Sequence, residues 1–143
     1  MLKKSEDPHG LPVVKVSRKG ASRLNDGHVW VYRSDVVSAD GIAPGALVGV
    51  ADERGKFLGT ALYSSASQIA VRMLSKEAIR DLDGLLRKRV REAISYRERV
   101  VRDTDAYRIV FSEGDFLPGL IVDRYNDLLS LQVLTQEIGR AHV

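Results

Sequence analysis

Hydrophobic and polar positions change rhythm twice along this chain. Val13 to Val16 alternates around Lys15 and predicts a first strand. Ser17 then opens a short helical turn over Arg18 to Asn25, closed by Asn25-Asp26-Gly27, a combination suited to a left-handed cap. The next segment, His28-Val29-Trp30-Val31-Tyr32-Arg33, reads as extended, with Trp30 and Tyr32 on one face and Val29 and Val31 on the other. From Gly41 to Leu74 every signal is β. Strands are predicted over Leu47 to Ala51, Phe57 to Tyr63 and Ile69 to Leu74, with a hairpin loop at Asp52-Glu53-Arg54-Gly55 and a polar break at Ser64 to Gln68. Short strands at this spacing make a small barrel or sandwich.

The second change comes at Ser75, a suitable N-cap for a helix from Lys76 to about Arg102. Leu82, Leu85, Leu86, Val90, Ala93, Ile94, Val100 and Val101 form its apolar stripe, which Gly84 interrupts; Arg87, Lys88, Arg91, Arg99 and Arg102 occupy the other faces. Beyond it lie three apolar runs, Ile109 to Phe111, Leu120 to Val122 and Leu128 to Leu134. The last two flank Asn126-Asp127, the turn of a β-hairpin. Residues 1 to 12 mix charge, Gly and Pro without period, so they are expected to be a flexible lead-in with His9 solvated.

An apolar fraction of 44% in 143 residues is enough for one ordinary core or two small ones. The net charge of +3 says little, but its distribution says more. Residues 13 to 34 carry Lys15, Arg18, Lys19, Arg23 and Arg33 against Asp26 alone, and residues 76 to 102 carry nine basic against five acidic side chains. Residues 103 to 143 reverse the sign, with three arginines against seven carboxylates. The positive field therefore sits in the first two thirds of the chain, where phosphate is attracted.

Chemistry is sparse. There are no cysteines, which excludes disulfides, thiolate zinc sites and a cysteine nucleophile in this chain. No apolar run approaches the roughly 20 residues that span a bilayer, and Met1 to Gly10 does not read as a secretory signal, so a cytoplasmic location is expected. Neither a G-x-G-x-x-G loop nor a P-loop is present. Glu113, Asp115 and Asp123 form a carboxylate group that would in principle suit a hard metal or acid/base catalysis, as in a small hydrolase. They are equally explained by a turn before Pro118-Gly119 and by an Asp123-Arg124 ion pair, and no metal is expected.

Three blocks resemble one family. Glu113-Gly114-Asp115, Leu117-Pro118-Gly119-Leu120 and Val122-Asp123-Arg124-Tyr125 resemble the start of the central domain of class I SAM-dependent rRNA methyltransferases, which methylate carbon 5 of a cytosine in large-subunit RNA. Lys19-Gly20 followed by His28-Val29-Trp30-Val31-Tyr32 is similar to the basic turn and aromatic strand of the family's N-terminal PUA domain, departing at Val29, where proline is usual. Tyr63-Ser64-Ser65-Ala66-Ser67-Gln68-Ile69 and Arg72 match a third block of the same domain.

The resemblance implies an α+β chain: a small PUA-like β-barrel over 12–75, a linker helix over 76–104 and an incomplete αβ domain over 105–143. It implies a substrate-positioning role with ribosomal RNA as partner. S-adenosylmethionine and the catalytic cysteine would belong to a further domain, leaving this chain inactive by itself and without a cofactor. Expected RNA-binding residues are Lys15, Arg18, Lys19, Arg23, His28, Trp30, Arg33 and Arg72. Trp30 is read first as core filling, with His28 and Arg33 as the stronger candidates for contact. A free-standing PUA-type RNA-binding protein would share the first 75 residues but would not need the block after Tyr107. Ile138 to Val143 resembles a translated sequencing adapter and is expected to be a non-native tail, and an unpaired last strand would favour self-association.

Overall fold

Strand β1 (Val13–Val16) turns Val14 and Val16 inward and leaves Val13 and Lys15 half-buried on its other face. A computed structural model describes residues 7–135 of the chain, which divides into two compact units at Arg80/Asp81. In the first, β1 is followed by α1 (Arg18–Asn25), whose N-cap Ser17 accepts the Gly20 N–H through its hydroxyl at 3.1 Å. Gly20, Ala21 and Leu24 form its buried side. Gly27, at φ +95°, closes the helix as expected, its N–H donating to the Leu24 carbonyl and that of His28 to Arg23.

Five more strands complete this unit: β2 (Trp30–Tyr32), β3 (Val36–Ser38), β4 (Leu47–Ala51), β5 (Phe57–Tyr63) and β6 (Ile69–Ser75). They form one six-stranded sheet in the order β2-β6-β5-β4-β1-β3, antiparallel except for the β1/β4 pair. The connection between its outermost strands dictates its shape. If the sheet were flat, β2 and β3 would lie about 24 Å apart, five spacings of ~4.8 Å. Only a 3₁₀ turn, Arg33–Asp35, joins them, and four residue steps reach at most ~14 Å. The sheet must therefore curl into a half-barrel, helped by register shifts in four of its five pairings. Small side chains line the concave face: Val14, Val16, Val31, Val48, Val50, Ala61, Ala70 and Val71, with Ala21 and Leu24 of α1 and the larger Tyr63.

Two sequence expectations change here. The described part of the lead-in is a turn, in which the Asp7 carboxylate accepts the N–H groups of His9 and Leu11 at 2.8 and 2.7 Å. Its Pro12 carbonyl accepts from Gly49 in β4, and His9 Nδ1 accepts from Arg80 at 3.0 Å, so this stretch is held to the sheet. Ser75 ends a strand instead of capping a helix; its hydroxyl accepts the Glu77 N–H. After β6 the chain is tied down by Thr60, whose buried hydroxyl donates to the Glu77 carbonyl and accepts the Ile79 N–H.

The second unit begins with α2 (Leu82–Val100), six residues later than expected, because Asp81 is the cap and accepts the Gly84 N–H at 2.9 Å. A three-stranded antiparallel sheet follows, β7 (Ala106–Phe111), β8 (Leu120–Tyr125) and β9 (Leu128–Val133), in the order β7-β8-β9. Of the apolar stripe on α2 only Leu86 and Ala93 are buried, while Ile94 and Val100 are exposed. Val110, Leu117, Pro118 and Leu120 are the other buried apolar side chains of this unit among the described residues. The proposed tail, 138–143, lies outside the described residues.

Candidate nucleic-acid interface

Strand β2 lies at one edge of the curled sheet, and its three residues alternate as the sequence requires: Val31 is 1% exposed, while Trp30 and Tyr32 on the opposite face are 36% and 43% exposed. The core reading of Trp30 therefore fails, because the small barrel is already filled by valines and alanines. Val29, expected beside Val31, is exposed as well, since it precedes the strand and contributes only its carbonyl, which accepts the Met73 N–H at 2.8 Å.

Each outward aromatic has a guanidinium-bearing residue beside it. Trp30 is the cross-strand partner of Arg72 on β6, so both side chains project from the same face. The Arg23 guanidinium lies over the Tyr32 ring at 5.9 Å from its centroid. Arg23 is fixed there by Asp35, a buried carboxylate that accepts from Arg23 Nη1 at 3.3 Å and from the Ser17 hydroxyl at 3.2 Å. Asp35 also takes the Ser17 N–H on its backbone carbonyl at 2.7 Å. The 3₁₀ turn that bends the sheet thus also aims one arginine of α1 along β2.

Arg18, Lys19 and His28 are exposed. Lys15 stands apart from the aromatics in the ladder, on the outer face of β1, opposite Ser38 of β3 and Ala51 of β4. Arg33 has another job. Its Nε donates to the Ser67 carbonyl at 3.1 Å, and its Nη2 donates to the Ser64 and Ser67 carbonyls at 2.6 and 2.7 Å. That guanidinium holds the Ser64–Gln68 loop closed, a structural role that the sequence did not suggest. Tyr32 is the residue that the candidate set left out. Its alternation with Trp30 was the available signal.

Two carboxylates of the second unit, Asp115 and Asp123, are engaged with arginines. Asp115 receives two hydrogen bonds from Arg97, one of 2.8 Å to Oδ2, and the Phe111 N–H at 2.6 Å. Burial pushes its carboxyl up, but the Arg97 hydrogen bond, the Phe111 amide and the Arg97 charge outweigh it and hold the group below the usual carboxylate range. Asp123 pairs across the strands with Arg108, at 2.7 and 3.1 Å, not with the neighbouring Arg124. Hydrogen bonding to Arg108 lowers its carboxyl, against desolvation. Arg124 instead donates to the Asn126 carbonyl and the Tyr107 hydroxyl. Glu113 accepts from the Ser112 hydroxyl. Asp115 and Asp123, each held in its charged form by a guanidinium, are poor proton donors. Among the described residues no three His, Asp or Glu side chains gather to hold a metal, and no helix is long and apolar enough to cross a membrane.

The class of the first unit is given by its sequence: residues 14–76 match the family model of the PUA-like domain. Over most of its length the chain is homologous to ribosomal RNA large subunit methyltransferases. It is 34% identical over 130 residues to the Ribosomal RNA large subunit methyltransferase of Deinococcus radiodurans, covering 85% of this chain and 32% of that protein. Against Ribosomal RNA large subunit methyltransferase I of Salmonella arizonae the figures are 31% over 128 residues, 87% and 32%. The chain thus spans about a third of these relatives' length. A structure assigned to the methyltransferases and complexed with S-adenosylhomocysteine superposes with a TM-score of 0.80 at 18% identity, over 91% of this chain and 34% of its own. A second, from Streptococcus mutans and assigned to the SAM-dependent methyltransferases, gives 0.79 at 18% identity, over 91% and 35%. At that identity these two show the fold.

Where α1 follows β1, the described residues offer no cradle for S-adenosylmethionine. A cofactor cradle of the doubly wound kind needs open amides where a helix follows a parallel strand. In α1, which follows β1, the Gly20 amide is taken by Ser17, and a Cβ at Gly20 would stand 3.2 Å from Asp35 Cβ.

Proposed function

We propose that this chain binds structured large-subunit rRNA and positions it for SAM-dependent methylation at carbon 5 of a cytosine, a step of rRNA processing in the cytoplasm. The observation that carries this reading is the outer face of β2, where Trp30 stands beside Arg72 and Tyr32 beneath Arg23. RNA is recognised largely through phosphates and through splayed bases that stack on aromatic rings or guanidinium planes. Trp30 and Tyr32 are the stacking surfaces; Arg18, Lys19 and His28 neutralise phosphate, and Lys15 extends the basic track. Arg23 and Arg72 orient the aromatics and add charge. This chain supplies no nucleophile for the cytosine ring, having no cysteine. Homology to rRNA methyltransferases supports this reading over a free-standing RNA-binding module, because it continues through the second unit.

Two variants separate the two kinds of contact. Because Arg23 partners Asp35, the charge test uses Arg18→Ala with Lys19→Ala, which leaves that network intact. Fluorescence anisotropy on an rRNA hairpin should show weaker binding for this pair and a log K against log salt slope shallower by about 1.5, at ~0.7–0.9 per phosphate contact. Trp30→Ala should weaken binding by roughly tenfold with the slope unchanged, stacking being worth about 1–3 kcal/mol per base. Binding by both variants that matches the parent across the titration would remove the proposal.

A further inference from the structure

All six residues of β9 are exposed, four of them aliphatic, and the strand is the edge of its sheet among the described residues. From Leu128 to Leu134 the sequence is LLSLQVL, with no charge and no proline, the two devices that usually keep a sheet edge from pairing. Phase matters as much as composition. In an antiparallel ladder each residue aims its N–H and C=O to the same side, alternating along the strand. Tyr125 and Leu128 close the two-residue turn, and the Leu134 N–H donates to the Gly119 carbonyl at 2.7 Å. Residues 128, 130, 132 and 134 therefore bond towards β8, and Leu129, Leu131 and Val133 present their backbone groups to the open edge.

Reversed on itself about Leu131, this segment matches in character at every position. Leu128 falls opposite Leu134, Leu129 opposite Val133, Ser130 opposite Gln132, and Leu131 opposite its own copy. The residues that would form hydrogen-bonded pairs in that register, 129 with 133 and 131 with 131, are the ones whose backbone groups point outward. On the same face stand the side chains of Leu129, Leu131 and Val133, exposed by 59%, 62% and 42%.

We propose that β9 pairs antiparallel with β9 of a second copy of this chain, with the two-fold axis at Leu131. The two three-stranded sheets then join into one six-stranded sheet. Six backbone hydrogen bonds cross the axis, and six aliphatic side chains form a continuous strip on one face. The register makes the interface isologous and closed, so it yields a dimer and not a fibre.

Sedimentation equilibrium on the 143-residue chain, freed of nucleic acid, should give twice the 15.8 kDa of one copy. Leu131→Lys places two like charges on the axis and should raise the dimer dissociation constant roughly tenfold or more. Leu131→Glu should do the same, and an equimolar mixture of the two variants should recover a heterodimer. Because Leu131 is exposed, neither change opens a cavity, and α2 helicity by circular dichroism checks that each variant is folded. The register is read by cysteine. Across the axis the two Leu131 Cα atoms would lie ~5.5 Å apart, within disulfide range, so Leu131→Cys should cross-link under mild oxidation while Leu129→Cys should not. A single-copy mass throughout the concentration range, equal cross-linking at both positions, or a Lys/Glu mixture that stays monomeric would each overturn the proposal.

Discussion

The two sheets of this protein solve the same problem in opposite ways. In the first unit a three-residue 3₁₀ turn links the two outermost strands, so six strands curl around a core of valines and alanines and both faces of each strand acquire a definite role. In the second, a three-stranded sheet meets one helix chiefly through β7, and β9 is exposed along its whole length. Burial on one side gives the first unit its specificity: with Val31 locked inward, Trp30 and Tyr32 have nowhere to go but out. The second unit supplements a small core with arginines. Arg97 binds Asp115, Arg108 binds Asp123, and Arg89 donates to the Phe116 carbonyl at 2.7 Å, fixing that residue in a left-handed conformation at φ +58°. Where apolar area is scarce, directional contacts take over the positioning.

The sharpest way to break this comparison is to cut the smaller core. Leu117 is fully buried, and Leu117→Ala should cost about 3 kcal/mol, in the range measured for such truncations. The chain's single tryptophan reports the first unit and α2 dominates the helical signal of the second. In urea the helical transition should therefore move to lower concentration while Trp30 fluorescence keeps its midpoint. If both moved together, the sheets would be one cooperative structure and the contrast between them would fall.

The next effect separates packing from electrostatics by pH. Because Asp115 has a lowered folded-state pKa, it contributes stability above the ordinary carboxylate value of about 3.9, and that contribution is lost as pH falls through the lower folded value. The second unit should therefore weaken below about pH 4. Asp115→Asn should lower its stability at pH 7 by about 2 kcal/mol, by removing a charge-assisted pair, and flatten the acid dependence. Asp123→Asn should change much less, since the Arg108 partner is exposed and solvent screens the pair. An acid profile unaltered by Asp115→Asn would assign the hold on this turn to packing alone.

How far the sequence foretold these features depended on how local their causes were. Strands β4 and β5 and helix α1 follow from short apolar runs between turn residues, a serine cap and a glycine stop, all of which act within a few residues. The start of α2 was misplaced because Ser75 and Asp81 are both good caps. What decides between them is a distant contact, Thr60 binding the Glu77 carbonyl and Ile79 amide and keeping that stretch out of a helix. Strand β3 and the turn before it carry no period long enough to detect. In the candidate interface, composition and resemblance picked out basic and aromatic positions, yet Trp30, read first as core, is exposed and Arg33 is bonded to the Ser64–Gln68 loop. Whether a tryptophan fills a core depends on the volume already occupied by other strands. Whether an arginine reaches a ligand depends on which carbonyls lie within its span, and Ser64 and Ser67 are more than thirty residues away in sequence.

The smallest effect tests whether the helix that carries the basic corner is set by its own ends. Gly27 sits at φ +95°, where a side chain is strained, but a Cβ there would meet nothing within 4 Å. Gly27→Ala should thus cost only the conformational penalty, about 1 kcal/mol, without displacing any neighbour. Because Gly27 precedes His28 and β2, strain at this point is relieved most readily by fraying the last turn of α1, which carries Arg23 towards Asp35 and Tyr32. Hydrogen exchange should therefore quicken at Asp26 to His28, whose amides bond to Ser22, Leu24 and Arg23, while the amides of β4 and β5 stay protected. Equal acceleration across the sheet would mean that the cap sets the stability of the whole curled sheet and not the placement of one arginine.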